Sequence, residues 1–392
     1  MYDVILIGFG PGGAALSWLF ASRGLRTLAV ERQTDFHRTF RGEGLQPSGI
    51  SALHQMGLAD ALAATPQLRP RRMLVHNGAE VSSFQMADPG GATIVSPGGL
   101  LEAIAARCAE HPAFTLLRGA ALTDLLEEDG RVVGVRVRTA DGVAEHRARL
   151  VVAADGRGSL AAKKAGMARD SLEQGFDVLW FKADLGELLG DRDTAWLEMQ
   201  QGRVALAYPS PDGGDQVGLI LPKGTVPEGE GPERWRWMLR QLSPDLAAAV
   251  AKHPESWVGP VRLNVICERA QTWARPGLLL IGDAAHPMSP VGGQGLNMAI
   301  RDALVAANHL VPALRDGDLG RSDAAARAAA TERAQEVVPV QALQTRSGVR
   351  MLRPPWWLLK ALPWAARLGW RFRANRERQK MSRGLVELHL TV

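Results

Sequence analysis

The first thirteen residues constrain this chain most. Val4-Ile5-Leu6-Ile7 is an unbroken β-prone apolar run, as in a strand buried on both faces, and it leads directly into Gly8-Phe9-Gly10-Pro11-Gly12-Gly13, a GxGxxG loop. Ala14 to Ser22 is helix-prone, Gly24 closes it, and Thr27 to Val30 reads as a second buried strand ending at Glu31. Strand, glycine turn, helix and strand in this order specify a parallel βαβ unit in an α/β fold. Gly8 makes the tight turn, Gly10 admits a pyrophosphate close to the backbone, and Gly13 lets helix and strand pack. The helix N-terminus adds unpaired N–H donors for phosphate charge. Glu31 stands where ribose hydroxyls donate, with Arg32 beside it, and an acid there suits the free ribose of FAD or NAD rather than a phosphorylated one. The first site therefore binds a dinucleotide, with Gly8, Gly10, Gly12, Gly13, Glu31 and Arg32 as its expected contacts.

A chain of 392 residues, 46% of them hydrophobic, has ample material for a large core. Cys108 and Cys267 make no metal cluster and fit a reducing compartment. The start Met-Tyr-Asp-Val lacks the basic leader of a signal peptide, and no apolar run of about 18 residues predicts a spanning helix, so the expected location is cytoplasmic. Helices are predicted within 43–65, over Leu100 to Glu110, in one or two pieces over Glu233 to Lys252, and nearly throughout after residue 293. Phe114 to Leu117, Leu150 to Ala153 and Leu278 to Ile281 read as strands, and 122–149 as a β-meander turning at Asp129-Gly130. Phe176 to Ala183, Ala195 to Gln200, Arg203 to Tyr208 and Gln216 to Leu221 read as antiparallel strands, a sheet-rich insertion with one face lining a pocket.

The strand ending at Ile281 runs into Gly282-Asp283-Ala284-Ala285-His286-Pro287-Met288-Ser289-Pro290-Val291-Gly292-Gly293-Gln294-Gly295-Leu296-Asn297-Met298-Ala299, then Arg301-Asp302-Ala303. Asp283, at a strand's carboxyl end, is placed to accept from a second sugar or ribityl hydroxyl. Gly292 to Asn297 open a helix whose unpaired donors suit flavin carbonyls. This stretch resembles the GDAAHxxxPxxGQGxNxAxxDA motif of the group A FAD-dependent monooxygenases, a family that includes para-hydroxybenzoate and ubiquinone-ring hydroxylases, at every fixed position. Arg41-Gly42-Glu43-Gly44-Leu45-Gln46-Pro47 resembles the family's Arg-Gly segment, and Asp155-Gly156-Arg157-Gly158-Ser159 its Asp-Gly motif.

The resemblance runs over roughly residues 3–345. It implies a Rossmann-like FAD-binding domain (1–70, 97–170 and 263–345) interleaved with a mostly antiparallel substrate domain (71–96 and 171–262), then a helical, basic, Trp-rich segment (346–392). It carries the FAD contacts onto Arg41, Asp155, Asp283, Gly292, Gly295, Leu296 and Asn297. It also implies the family's reaction: NADH or NADPH as transient reductant, O2, and a flavin hydroperoxide that delivers one oxygen atom to a hydrophobic aromatic, polyketide-like or isoprenoid substrate. Two departures stand out. Ala162 replaces the family's arginine three residues after the serine, which weakens the link to pyridine-nucleotide docking, and Pro97-Gly98-Gly99 stands where a helix often starts with Arg or Gln.

No catalytic residue is identified outright. His286 reads first as a cap beside the flavin and second as a base. Pro290 matches the proline lying against the flavin's reacting edge, giving shape rather than proton transfer. Tyr208, the one tyrosine besides Tyr2, is a packed sheet residue before it is a base. Met199, Trp180, Phe181 and Val204 are pocket-lining candidates that core packing explains equally well. Within the same cofactor fold, a geranylgeranyl-type reductase or a flavin halogenase is the alternative enzyme. Trp235-Arg236-Trp237-Met238 lacks a halogenase's Ile-Pro and reads as a helix face, and Val204 to Pro209 replaces a reductase's Tyr-x-Trp-x-Phe-Pro strand. A non-catalytic membrane-associated flavoprotein is a third reading.

Ten of the 46 Lys and Arg fall in 350–383 against one of the 41 acids, which leaves 36 basic and 40 acidic residues elsewhere. No nucleic-acid motif accompanies the charge. With Trp356, Trp357 and Trp370, this tail reads either as a helix packed across the two domains or as a peripheral contact with the inner face of an anionic membrane.

Overall fold

The computed structural model describes residues 1–36, 42–76, 81–85, 92–190, 192–200, 202–226, 232–263, 265–352 and 382–392, with Trp357, Ala361 and Trp364. Arg41 and most of 350–383 lie outside the described residues.

Tyr2–Ile7 is the central strand of a parallel sheet. It pairs with Gly142–Ala153 on one side, Ile7 beside Ala153, and with Thr27–Glu31 on the other, Ile7 beside Val30. Phe114–Arg118 and Leu278–Leu280 extend the sheet outwards. Val4 and Leu6 enter a core shared with helices Pro11–Ala21, Pro97–Ala109 and Gly295–Asp316. Ile5 and Ile7 enter a second core with the meander and the helix Leu319–Leu352. Both faces are covered, which is why the strand's sequence shows no alternation. Gly142–Ala153 serves two sheets: its first half forms a hairpin with Arg131–Thr139, and its second half joins the parallel core. Its burial changes from exposed to buried along its length accordingly.

The second sheet runs in the order 258–263, 176–183, 215–222, 203–209, 194–200, 72–76, 81–85. Its pairings are antiparallel except Thr194–Gln200 with Arg72–His76. One face packs under helices Pro232–Leu242 and Pro244–Lys252, through Leu179, Leu219, Leu239, Leu246 and Val250. The other face looks toward the parallel-sheet body. This is the α/β architecture expected from the motifs. Among the described residues, no helix is long and apolar enough to cross a membrane.

Several element boundaries differ from the sequence reading. The expected helix at Leu100 starts at Pro97, because the Ser96 hydroxyl accepts the Gly99 N–H at 3.0 Å and Pro97 sits in the first turn, where its missing N–H costs nothing. The helix within 43–65 becomes Pro47–Gln55 and Ala59–Ala64, broken at left-handed Gly57. The long helix Leu319–Leu352 runs unbroken through the boundary expected at 345, while the described residues from Gly384 to Val392 are not helical. Side chains from the body bond that final segment instead: Gln55 donates to the Leu388 carbonyl at 3.1 Å, Asn308 to His389 at 2.7 Å and Arg23 to Val392 at 2.7 Å.

A buried ionic chain joins these parts. Asp302 accepts the Gly282 N–H, the His286 Nε2–H and the Arg333 Nε–H, each at 2.7 Å. Arg333 and Arg301 both grip Glu336, and Arg301 reaches the Val386 carbonyl while Glu336 accepts the Leu385 N–H. Burial alone would raise the Asp302 carboxyl, but His286 and Arg333 hold it down to about 2. Its stabilising contribution is therefore complete above the ordinary value of 3.8 and is lost as pH falls through about 2. Asp302→Asn removes one of the two buried carboxylates that pair with Arg333, together with the anion that holds His286, and should destabilise the fold by about 3–5 kcal/mol in urea titration. The variant should also lack this component of the stability loss between those two pH values.

Candidate active site

The glycine loop is shaped by close approach. Gly8 has φ +94°, and a Cβ there would meet the Ala154 carbonyl at 2.5 Å. A Cβ on Gly13 would lie 2.1 Å from the Gly8 carbonyl, and one on Gly12 would lie 2.8 Å from that of Ala299. Gly10 is different. Nothing lies within 4 Å of its missing Cβ, so the loop is open on that side alone. Gly10 is also the N-cap of Pro11–Ala21 and no side chain caps that helix, so its first-turn donors face the opening. Glu31, buried at the end of its strand, accepts the Phe9 N–H at 2.9 Å and the Gln33 N–H at 3.0 Å, which fixes one carboxylate at the loop's rim. Arg32 is exposed beside it.

Two further carboxylates stand at strand ends. Asp155 follows Gly142–Ala153; burial raises its carboxyl against hydrogen bonds from Ser159 and backbone, and its Oδ1 is buried without a partner. Asp283 follows Leu278–Leu280 and is half-buried, ion-paired with Arg157 at 3.2 Å. Ala162, in the family's arginine position, is fully buried with its N–H on the Ser159 hydroxyl, and Lys163 beyond it is exposed. Gly292 and Gly293 take positive φ, +75° and +61°, and turn the chain into the uncapped N-terminus of Gly295–Asp316. Asn297 holds this turn in place. It accepts the Gln46 N–H at 2.8 Å and donates to the carbonyls of Gly44 and Gly293 at 3.1 and 2.8 Å, so its side chain is spent on structure.

The inner face of the second sheet completes the site. Cross-strand pairing sets its side chains in rows. Val178, Ile220, Val204 and Met199 form one row, and Val291 and Leu352 belong to the same apolar cluster. Trp180, Gly218, Leu206 and Leu197 form the next, with the Trp180 ring over Gly218, where a Cβ would meet it at 2.9 Å. Lys182, Gln216 and Tyr208 form a third, polar row. Trp180, Leu197 and Leu206 are only partly buried and offer an apolar floor. Phe181, open between pocket and core in the sequence, belongs to the core. Strand alternation turns it to the opposite face, where it stacks on Trp257 with ring centroids 3.9 Å apart.

Comparison with known proteins reads the same way. Residues 1–340 match the family described as the FAD binding domain. The chain is 36% identical over 368 residues to 6-methylpretetramide 4-monooxygenase of Streptomyces rimosus, covering 88% of this chain and 84% of that one. It belongs to the group A FAD-dependent monooxygenases. It is also 27% identical over 340 residues to digeranylgeranylglycerophospholipid reductase 1 of Methanopyrus kandleri, covering 82% and 83% of the two chains. Among solved structures it is similar to p-nitrophenol 4-monooxygenase from Pseudomonas putida DLL-E4, with a TM-score of 0.79, 18% identity and 99% of both chains covered.

In this monooxygenase the residues present fit FAD. The open side of Gly10, the uncapped helix start, Glu31, the unpartnered Asp155 oxygen and Asp283 are the acceptors and donors a dinucleotide with a ribityl chain requires. His286 is fully buried and bonded to Asp302, so it serves the framework. Pro290 is half-buried at the start of the 290–293 turn. The sequence reading assigned no role to Glu43, Arg157, Asp302, Arg333 or Gln216. The first three sat inside quoted motifs, but Arg333 and Gln216 carry no local signal.

Gly10 and Gly13 should separate binding from folding. Gly10→Ala should fold with an unchanged melting temperature yet bind FAD at least about tenfold more weakly by flavin fluorescence titration. Gly13→Ala should lose about 1–3 kcal/mol of stability through overpacking of helix on strand.

Proposed function

We propose that this monooxygenase hydroxylates a polyketide-like aromatic substrate laid against Trp180, Leu206 and Leu197. NADH or NADPH serves as transient reductant and O2 as the oxygen source. Gly8, Gly10, Gly12, Gly13, Glu31, Arg32, Arg41, Asp155, Asp283, Gly292, Gly295, Leu296 and, through its backbone, Asn297 are proposed to hold FAD. The observation that carries the substrate class is the ordering of the rows: a partly buried apolar strip lies between a largely buried row packed with Val291 and a polar row ending at Tyr208. An extended ring system matches that strip in polarity. The 6-methylpretetramide monooxygenase relative, which the chain matches over most of its length, supports the same class.

Bound FAD supplies the electron transfer and oxygen activation. The protein's work is to orient the ring and exclude water. Arg157 is exposed and pairs with Asp283, which leaves a cation at the mouth of the site in a chain that lacks the family arginine at Ala162. Tyr208 does not act as a base: burial and the nearby Glu43 carboxylate push its phenol above the ordinary value of 10.0, so it stays protonated at neutral pH.

NAD(P)H oxidation and O2 uptake should rise together when the substrate is supplied, with product mass increased by one oxygen. Reduction of an alkene under anaerobic conditions, without O2 uptake, would instead place the chain with the reductases. Tyr208→Phe should lower kcat/KM by no more than about tenfold, the worth of one neutral hydrogen bond, and should leave the shape of the pH profile unchanged.

A further inference from the structure

Glu43 has a carboxylate oxygen that nothing described so far uses. It lies in the Arg-Gly-Glu-Gly stretch, and its backbone is held by the Val95 N–H on its carbonyl at 2.9 Å and by the pairing of Gly44 with Ile94. The residue is 3% exposed. Its Oε1 accepts from the Ser210 hydroxyl and from the Gln216 amide, both at 2.9 Å, and Lys182 Nζ donates to Ser210 at 3.3 Å. Its Oε2 is buried with no hydrogen-bond partner in the protein. Folded proteins rarely leave a buried carboxylate oxygen in that state.

The surroundings define what would satisfy it. Gln216 is the direct cross-strand partner of both Tyr208 and Lys182, so Glu43 closes the polar row next to the Trp180–Gly218–Leu206–Leu197 strip. Burial raises the Glu43 carboxyl; Gln216, Ser210 and Lys182 oppose the rise and Asp212 adds to it. An anionic ligand group would meet like charge here. A neutral hydroxyl at the end of a ring lying on the apolar strip supplies the missing donor.

We propose that Glu43 Oε2 is the acceptor for a phenolic hydroxyl of the aromatic substrate and so sets which ring edge enters the pocket. The assignment rests on the aromatic reading above. Glu43 is a specificity-determining residue in this scheme, separate from the FAD contacts. A site built to bond a hydroxyl rejects analogues lacking it far more strongly than an apolar wall does, because its own polar group is then left unpaired.

The test uses full-length, FAD-loaded protein titrated with 2-naphthol, 2-methoxynaphthalene and naphthalene, with the bound-flavin absorbance change reporting affinity. Wild type should bind 2-naphthol at least about tenfold more tightly than the methyl ether. Glu43→Gln should abolish or reverse that preference while keeping FAD content and melting temperature, since its amide presents a donor in place of the acceptor. Glu43→Asp, with the carboxylate drawn back by one methylene, should show a reduced preference of the same sign. Equal wild-type affinity for naphthol and ether overturns the Glu43 assignment but leaves the aromatic pocket standing, as does a preference retained in Glu43→Gln. If none of the three compounds perturbs the wild-type flavin, the aromatic reading itself fails and the Glu43 contact with it. Should Glu43→Gln not hold FAD, the wild-type comparison and Glu43→Asp decide the matter.

Discussion

The Asp302 carboxylate is the interaction on which the rest of this structure depends. One buried group takes the backbone N–H of Gly282, the ring of His286 and the guanidinium of Arg333, and so fastens the turn after one parallel strand to both long C-terminal helices. Such a group is costly to bury alone and stable only when fully paired. Here the pairing continues through Glu336 and Arg301 to the backbone of Leu385 and Val386. The last described residues and the Gly282-Asp283 turn are therefore members of one network.

That network holds surfaces whose shapes are set by missing side chains. Gly8, Gly12 and Gly13 let strand, loop and helices approach until a methyl group would collide with backbone, whereas Gly10 faces open space. The same chemistry recurs in the second sheet, where Gly218 makes room for the Trp180 ring. In both places glycine is used for space: protein fills it at Gly13 and Gly218, and it stays open at Gly10.

Much of this was legible from residue order. The continuous apolar run at Val4–Ile7, the glycine loop and the long Gly282–Ala303 stretch announce buried parallel strands and a dinucleotide site, because steric and hydrogen-bonding demands there leave few alternatives. Residue order leaves Phe181 open between pocket and core, because the two faces of a strand differ only by parity and an apolar residue on either face looks the same. The start of the helix at Pro97 was hidden by Gly98-Gly99, whose poor helix propensity is overridden by the Ser96 cap.

Sequence alone determined the cofactor class and the family, since backbone close approach and phosphate binding need particular residues at short spacings. Tertiary structure decided the rest. Glu43, Ser210 and Gln216 come together across about 170 residues of chain, and Asp302 meets Arg333 between two helices, by contacts that no local pattern encodes. Which oxygen of Glu43 is satisfied and which is not exists only once the Glu43 segment is folded against the second sheet, because burial and partnership belong to the packed chain and not to the residue.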